Sequence, residues 1–116
     1  MPFDVRAVEV RGHPVLAVEG ELDLLTAPTL TDAVQDTLAG RPPLVVIDLT
    51  GTTFIDSTGA RVVARSARGA TGEGSALQVV CPKGNYPVRL VLDLLNLAAL
   101  VPVLESTELI GADERP

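Results

Sequence analysis

Aromatic side chains are almost missing from this chain: two Phe, one Tyr and no Trp, 3% of its residues. Since 47% of the residues are hydrophobic, any core must be built from Leu, Val, Ile and Ala. A single cysteine, Cys81, excludes an internal disulfide. It follows Leu77, Val79 and Val80 and reads as a small core residue. The one histidine, His13, lies in the turn Arg11-Gly12-His13-Pro14, where a surface role is simpler than that of a ligand or general base. Basic residues are scarce too, nine against fifteen acidic ones, for a net charge of -6. A nucleic-acid binder needs clustered Lys and Arg, so that partner is excluded. Only Arg61, Arg65 and Arg68 recur on one helical face, as solvated surface or as a rim meeting an acidic partner. Long apolar runs are lacking as well. The longest uncharged stretch, 94–104, has 11 residues broken by Asn96 and Pro102, too short to span a bilayer. Asp4 and Arg6 sit in an alternating run, unlike a signal peptide's basic start and apolar middle. The expectation is a cytoplasmic, soluble domain with no membrane contact.

At 116 residues the chain reads as one domain, able to bury roughly 65% of its unfolded surface. Its expected ordered core covers about residues 3–110, followed by a polar tail over 111–116. Phe3, Val5 and Ala7 alternate with Asp4 and Arg6 as in a half-buried strand, and after the His13 turn residues 15–18 begin a second strand of a hairpin. Thr26 before Ala27-Pro28 predicts a helix start. Leu30, Val34 and Leu38 give its buried stripe, and Gly40 a left-handed end. Residues 44–49 form a β-branched apolar run bounded by Pro42-Pro43 and Thr50-Gly51, a strand buried on both faces. Val62, Val63, Ser66, Ala67 and Ala70 then recur at helical spacing. Residues 76–81 predict a fourth strand, and Asn85 a candidate cap for a third helix buried through Val88, Val91, Leu92 and Leu95. Helix fails near Asn96, residues 100–104 read as an edge strand containing Pro102, and Ser106 or Thr107 caps a closing turn. The order β-β-α-β-α-β-α-β(-α) predicts an α/β fold. It has a mixed, mostly parallel sheet of about five strands with three to four helices.

Residues 55–59, Ile-Asp-Ser-Thr-Gly, lie where the exit of the buried strand becomes a helix N-terminus. The first-turn amides there lack intrahelical partners and the helix dipole is positive. A hydroxyl so placed either caps the helix or receives something anionic. If the second and third strands are parallel, their carboxyl ends share one edge, and that edge gathers Glu21, Asp23, Asp56, Ser57 and Thr58. Ligands and partners of open α/β sheets favour that edge.

Several chemistries fail on this platform. A serine hydrolase built on Ser57 needs a base and a residue orienting it, but His13 is predicted at the opposite edge and no G-x-S-x-G elbow is present. Mg²⁺ held by Glu21, Asp23 and Asp56 is conceivable, yet no phosphate site accompanies it. Neither G-x-x-x-x-G-K-[ST] nor G-x-G-x-x-G occurs. No catalytic residues, metal or cofactor are expected.

What remains is a regulated binding surface. The chain resembles the STAS domain, and within it the free-standing bacterial anti-sigma factor antagonists. The resemblance rests on the opening hairpin, Gly20-Glu21-Leu22-Asp23 with the following Thr-x-Pro helix start, residues 45–49, and Phe54-Ile55-Asp56-Ser57-Thr58-Gly59. It implies a STAS-like fold and a phosphorylation switch. In such antagonists the serine of the D-S-[ST]-G box, here Ser57, is phosphorylated by an anti-sigma factor with serine-kinase activity and a histidine-kinase-like ATPase fold. The unphosphorylated form captures that partner and releases the sigma factor, and a PP2C-type phosphatase reverses the modification. Glu21, Asp23, Asp56, Ser57, Thr58 and Gly59 would form the partner-binding surface. Position 60 is Ala, where the resemblance leads one to expect a bulkier aliphatic residue. The alternative is an interaction or scaffold subunit without phosphorylation, in a lipid-transport or stress-signalling complex.

Overall fold

The computed structural model describes residues 2–111. In chain order these form β1 (Asp4–Val10), β2 (His13–Leu22), α1 (Ala27–Ala39), β3 (Leu44–Asp48), β4 (Thr52–Ile55), α2 (Ser57–Gly72), β5 (Ala76–Val80), α3 (Tyr86–Leu94) and β6 (Val103–Leu104). Short 3-10 turns occupy Leu97–Ala99 and Thr107–Leu109. Of the expected polar tail, residues 112–116 lie outside the described residues.

The hairpin forms as expected: β1 runs antiparallel to β2, with Val10 opposite His13. Arg11 and Gly12 between them both have positive φ, the backbone that matches the twist of a two-residue hairpin. The remaining pairings, β2 with β3, β2 with β4, β3 with β5 and β5 with β6, are parallel. The sheet is therefore mixed and mostly parallel, in the order β1-β2-β3-β5-β6 with β4 beside β2.

Alternation in the strands sends side chains to two unequal layers. From β3, Val45 and Ile47 enter the larger cluster, which also holds the buried stripes of α1, α2 and α3. Leu44 and Val46 face the other way and join Val15, Val80 and Ile110. Ile110, just past the closing turn, thus covers part of the second face. This double burial is why β3 is an unbroken apolar run. Helix α2 buries Val62, Val63, Ser66, Ala67 and Ala70, the predicted stripe.

The main departure from the sequence reading is β4, which makes six strands rather than about five. Residues 52–55 show no apolar alternation and read as loop. They become a strand because β2 is long enough to serve two neighbours. Its residues Val15, Leu16 and Ala17 pair with β3, and after a register shift at Gly20/Glu21 its last residues pair with β4, Leu22 opposite Ile55.

Smaller departures have local causes. Gly40 is right-handed (φ -80), its amide still closing the last turn of α1 on Thr37. The reversal falls one residue later, on Arg41 (φ 51). Thr26, Asn85 and Ser106 hold cap positions, but their side chains make no capping hydrogen bond. Leu95, expected in the core, is 52% exposed. Helix α3 stops at Leu94 and Asn96 turns left-handed, which carries Leu95 off the buried stripe. The expected strand 100–104 shrinks to Val103–Leu104, because Leu97–Ala99 winds into a 3-10 turn. Pro102 still accepts from the Val79 amide at 2.9 Å.

Candidate functional site

The carboxyl ends of β2 and β4 lie side by side, and they bring the two halves of the predicted platform together. The Asp56 amide donates to the Leu22 carbonyl oxygen at 3.3 Å, so Asp23 and Asp56 leave adjacent strand ends. The neighbour of β2 here is β4, not β3, so the platform forms by a different pairing from the one the topology predicted.

Asp56 is the N-cap of α2. Its backbone is extended and its Oδ1 accepts from the Gly59 amide at 2.8 Å. Capping therefore falls to Asp56, and Ser57, the first helical residue, is relieved of it. Ser57 is exposed and makes no side-chain hydrogen bond among the described residues. Thr58 is half-buried and faces a different groove, with Leu24, Ala27, Thr31, Val62 and Arg65 between α1 and α2. Ser57 borders the groove on the opposite side of α2, with Arg61, Leu95 and Leu100. Two adjacent hydroxyls thus open onto two different surfaces.

Gly59 is buried and sits directly against β2. A Cβ there would collide with the Leu22 carbonyl oxygen and lie 2.9 Å from Leu22 Cγ. Gly59 shapes the platform from beneath and offers no surface of its own.

Asp23 is more committed than its sequence position indicates. Its Oδ1 accepts from the amides of Leu25 at 3.0 Å and Thr26 at 3.1 Å. The Thr26 hydroxyl accepts from the Asp23 amide at 2.9 Å and donates to the Glu21 carbonyl at 2.7 Å. This is an Asx-type turn stiffened by a threonine. It holds Leu24 and Leu25 outward, 68% and 87% exposed. Both leucines escaped the sequence reading, although an apolar pair inside a polar strand-to-helix turn was a visible signal. Phe54 on β4, paired with Glu21, is 46% exposed as well. Glu21 is exposed and is the platform acid whose carboxylate makes no hydrogen bond or ion pair among the described residues.

Asn85 buttresses the site from behind. Its Nδ2 donates to the Leu49 carbonyl at 3.1 Å and to the Thr52 carbonyl at 2.8 Å. The Thr52 hydroxyl, buried, donates to the Val18 carbonyl at 2.8 Å. These bonds lock the β3–β4 turn to β2 and to the start of α3.

Hydrolytic and metal chemistry find little here. His13 opens β2 and Ser57 lies beyond its far end, about 30 Å away at the usual rise per strand residue. Among the described residues no group of three or more His, Cys, Asp and Glu could hold a metal ion, and Asp23 and Asp56 spend carboxylate oxygens on backbone amides. No helix in the described part is long and apolar enough to cross a membrane.

Residues 5–105 match the family model described as "Mlab, STAS domain". Over 63 residues the chain is 35% identical to the anti-sigma-F factor antagonist RsfB of Mycobacterium tuberculosis, covering 54% of this chain and 52% of that protein. The match thus spans about half the length of that curated relative. A crystal structure of an anti-sigma factor antagonist from Mycobacterium paratuberculosis superposes with a TM-score of 0.86 at 26% identity, over 98% of this chain and 96% of that one. The anti-sigma factor antagonist SpoIIAA in its unphosphorylated form shares the fold, with a TM-score of 0.67 at 17% identity over 97% of this chain and 96% of that one.

Proposed function

The chain belongs to the STAS domain family, and we propose that it is an anti-sigma factor antagonist switched by phosphorylation of Ser57. The observation that carries this reading is the exposure of Ser57 at the start of α2, relieved of capping by Asp56. Leu24 and Leu25, held outward by the stiffened Asp23 turn, supply exposed apolar surface at the same sheet edge, as a specific interface requires. Its partner is an anti-sigma factor with serine-kinase activity and a histidine-kinase-like ATPase fold. That kinase transfers the γ-phosphoryl group of ATP to Ser57 Oγ, releasing ADP and the hydroxyl proton. A PP2C-type phosphatase adds water across the P–O bond and returns serine and inorganic phosphate.

Phosphate adds about -1.5 to -2 charge to a surface that already carries Glu21, Asp23 and Asp56. A hundredfold loss of affinity needs only about 2.7 kcal/mol, well within the cost of burying an unpaired phosphate. The fold need not change for binding to fail.

Calorimetric titration of the anti-sigma partner with wild type, Ser57→Ala and Ser57→Asp tests this. Ser57→Ala should bind as wild type does and escape regulation. Ser57→Asp should bind more weakly, as a partial mimic with one charge. Equal affinity for all three, with folding intact, would move Ser57 out of the interface and favour the scaffold role.

A further inference from the structure

Arg61 stands one helical turn after Ser57 and lines the same groove, about 330 Å³ in volume, between α2 and residues 95–100. Positions i and i+4 of a helix hold their Cβ atoms about 5–6 Å apart, within reach of a guanidinium for a phosphoryl group on Ser57. The Arg61 side chain is exposed and forms no hydrogen bond or ion pair among the described residues. Arg6 and Arg89, by contrast, are taken up by Glu19, Asp93 and Glu105.

Apart from the exposed, unpaired carboxylate of Glu21 at the end of β2, the other charges around Ser57 are accounted for. Asp56 is held by the Gly59 amide and Asp23 by the amides of Leu25 and Thr26. Residues 95–100 across the groove carry no charge. Arg65 lies on the α1 side of α2. Arg68 is eleven positions from Ser57, about 16 Å along the axis. Ala60 and Ala64 leave the groove open beside Arg61.

We propose that Arg61 is an internal phosphate-binding residue: it donates guanidinium N–H bonds to the phosphoryl oxygens of phosphorylated Ser57 and draws the group into the groove facing residues 95–100. This rests on reading Ser57 as the phosphoacceptor. Charge-assisted, bidentate pairing is what a planar guanidinium offers a phosphate, and an acidic group four residues before a basic one is the favourable helical order. The captured phosphate is directed to the α3 side of α2, away from the Leu24-Leu25 turn.

The test uses the full chain with phosphoserine genetically encoded at position 57, so that no partner kinase is needed. Phosphorus NMR follows the second ionisation of the phosphate in wild type, Arg61→Gln, Arg61→Lys and Arg65→Gln. In wild type it should titrate below its ordinary value of about 6. Arg61→Gln should raise it by about half a unit or more, Arg61→Lys by less, and Arg65→Gln should leave it unchanged. Coincident titrations of wild type and Arg61→Gln, or an equal shift in Arg65→Gln, would overturn the proposal. Partner affinity of the phosphorylated chain, measured separately, decides the switch itself. Unchanged affinity would sink the switch reading while the titration still judged Arg61.

Discussion

Gly59 packs directly onto Leu22, with no room for a methyl group between the first turn of α2 and the last residue of β2. The contact sets how closely Ser57 approaches the Asp23 turn. Gly59→Ala should force α2 and β2 apart and destabilise the fold by about 1–3 kcal/mol, the usual cost of overpacking. Urea denaturation measures it. A variant as stable as wild type would mean that the helix start yields without cost.

Asp56 caps α2, and the proposed phosphoacceptor is its neighbour Ser57. Asp56→Ala removes the acceptor for the Gly59 amide and should cost about 0.5–2 kcal/mol. Ser57→Ala removes no hydrogen bond among the described residues and should leave the urea midpoint where it was. Equal losses from the two substitutions would show that the serine shares in the cap.

Asn85→Ala should be more damaging than its half-exposed position indicates. It leaves the Leu49 and Thr52 carbonyls without the side-chain donor that joins them, a loss of about 1–3 kcal/mol. Hydrogen exchange should then quicken at the β3–β4 turn ahead of the rest of the sheet. Uniform quickening would argue against a local buttress.

Cys81 is fully buried, and burial pushes its thiol pKa up, opposed in part by the neighbouring Arg89 guanidinium. The native protein should therefore resist thiol reagents at neutral pH and react on unfolding. The linkage has a definite sign. Unfolding exposes a thiol with its ordinary pKa of about 8.5, so above that pH the unfolded chain loses a proton that the folded one keeps. Stability should be insensitive to this group below that pH and fall as pH rises through the window up to the raised folded value. The same pH series on Cys81→Ala should show a shallower alkaline decline. Parallel declines would assign the effect elsewhere.

Local periodicity alone determined much of this protein. The stripe of α2, the doubly buried β3, the hairpin and the position of Asp56-Ser57 between strand and helix all follow from apolar spacing and turn residues within a few positions of each other. Tertiary structure decided the rest. Residues 52–55 are too short and irregular to announce a strand, and they become one only because β2 offers an open edge beyond its pairing with β3. Asp23 reads as a presented acid until Thr26 and two backbone amides close around it and turn Leu24 and Leu25 outward instead. Asn85 reads as a cap, whereas its amide reaches carbonyls 36 and 33 positions away. Ser57 and Thr58 are neighbours in sequence, and only the packing of α2 between α1 and the α3 region gives them different grooves. In each case the deciding partner lies in another element or depends on how the chain closes around the residue. Sequence spacing records neither.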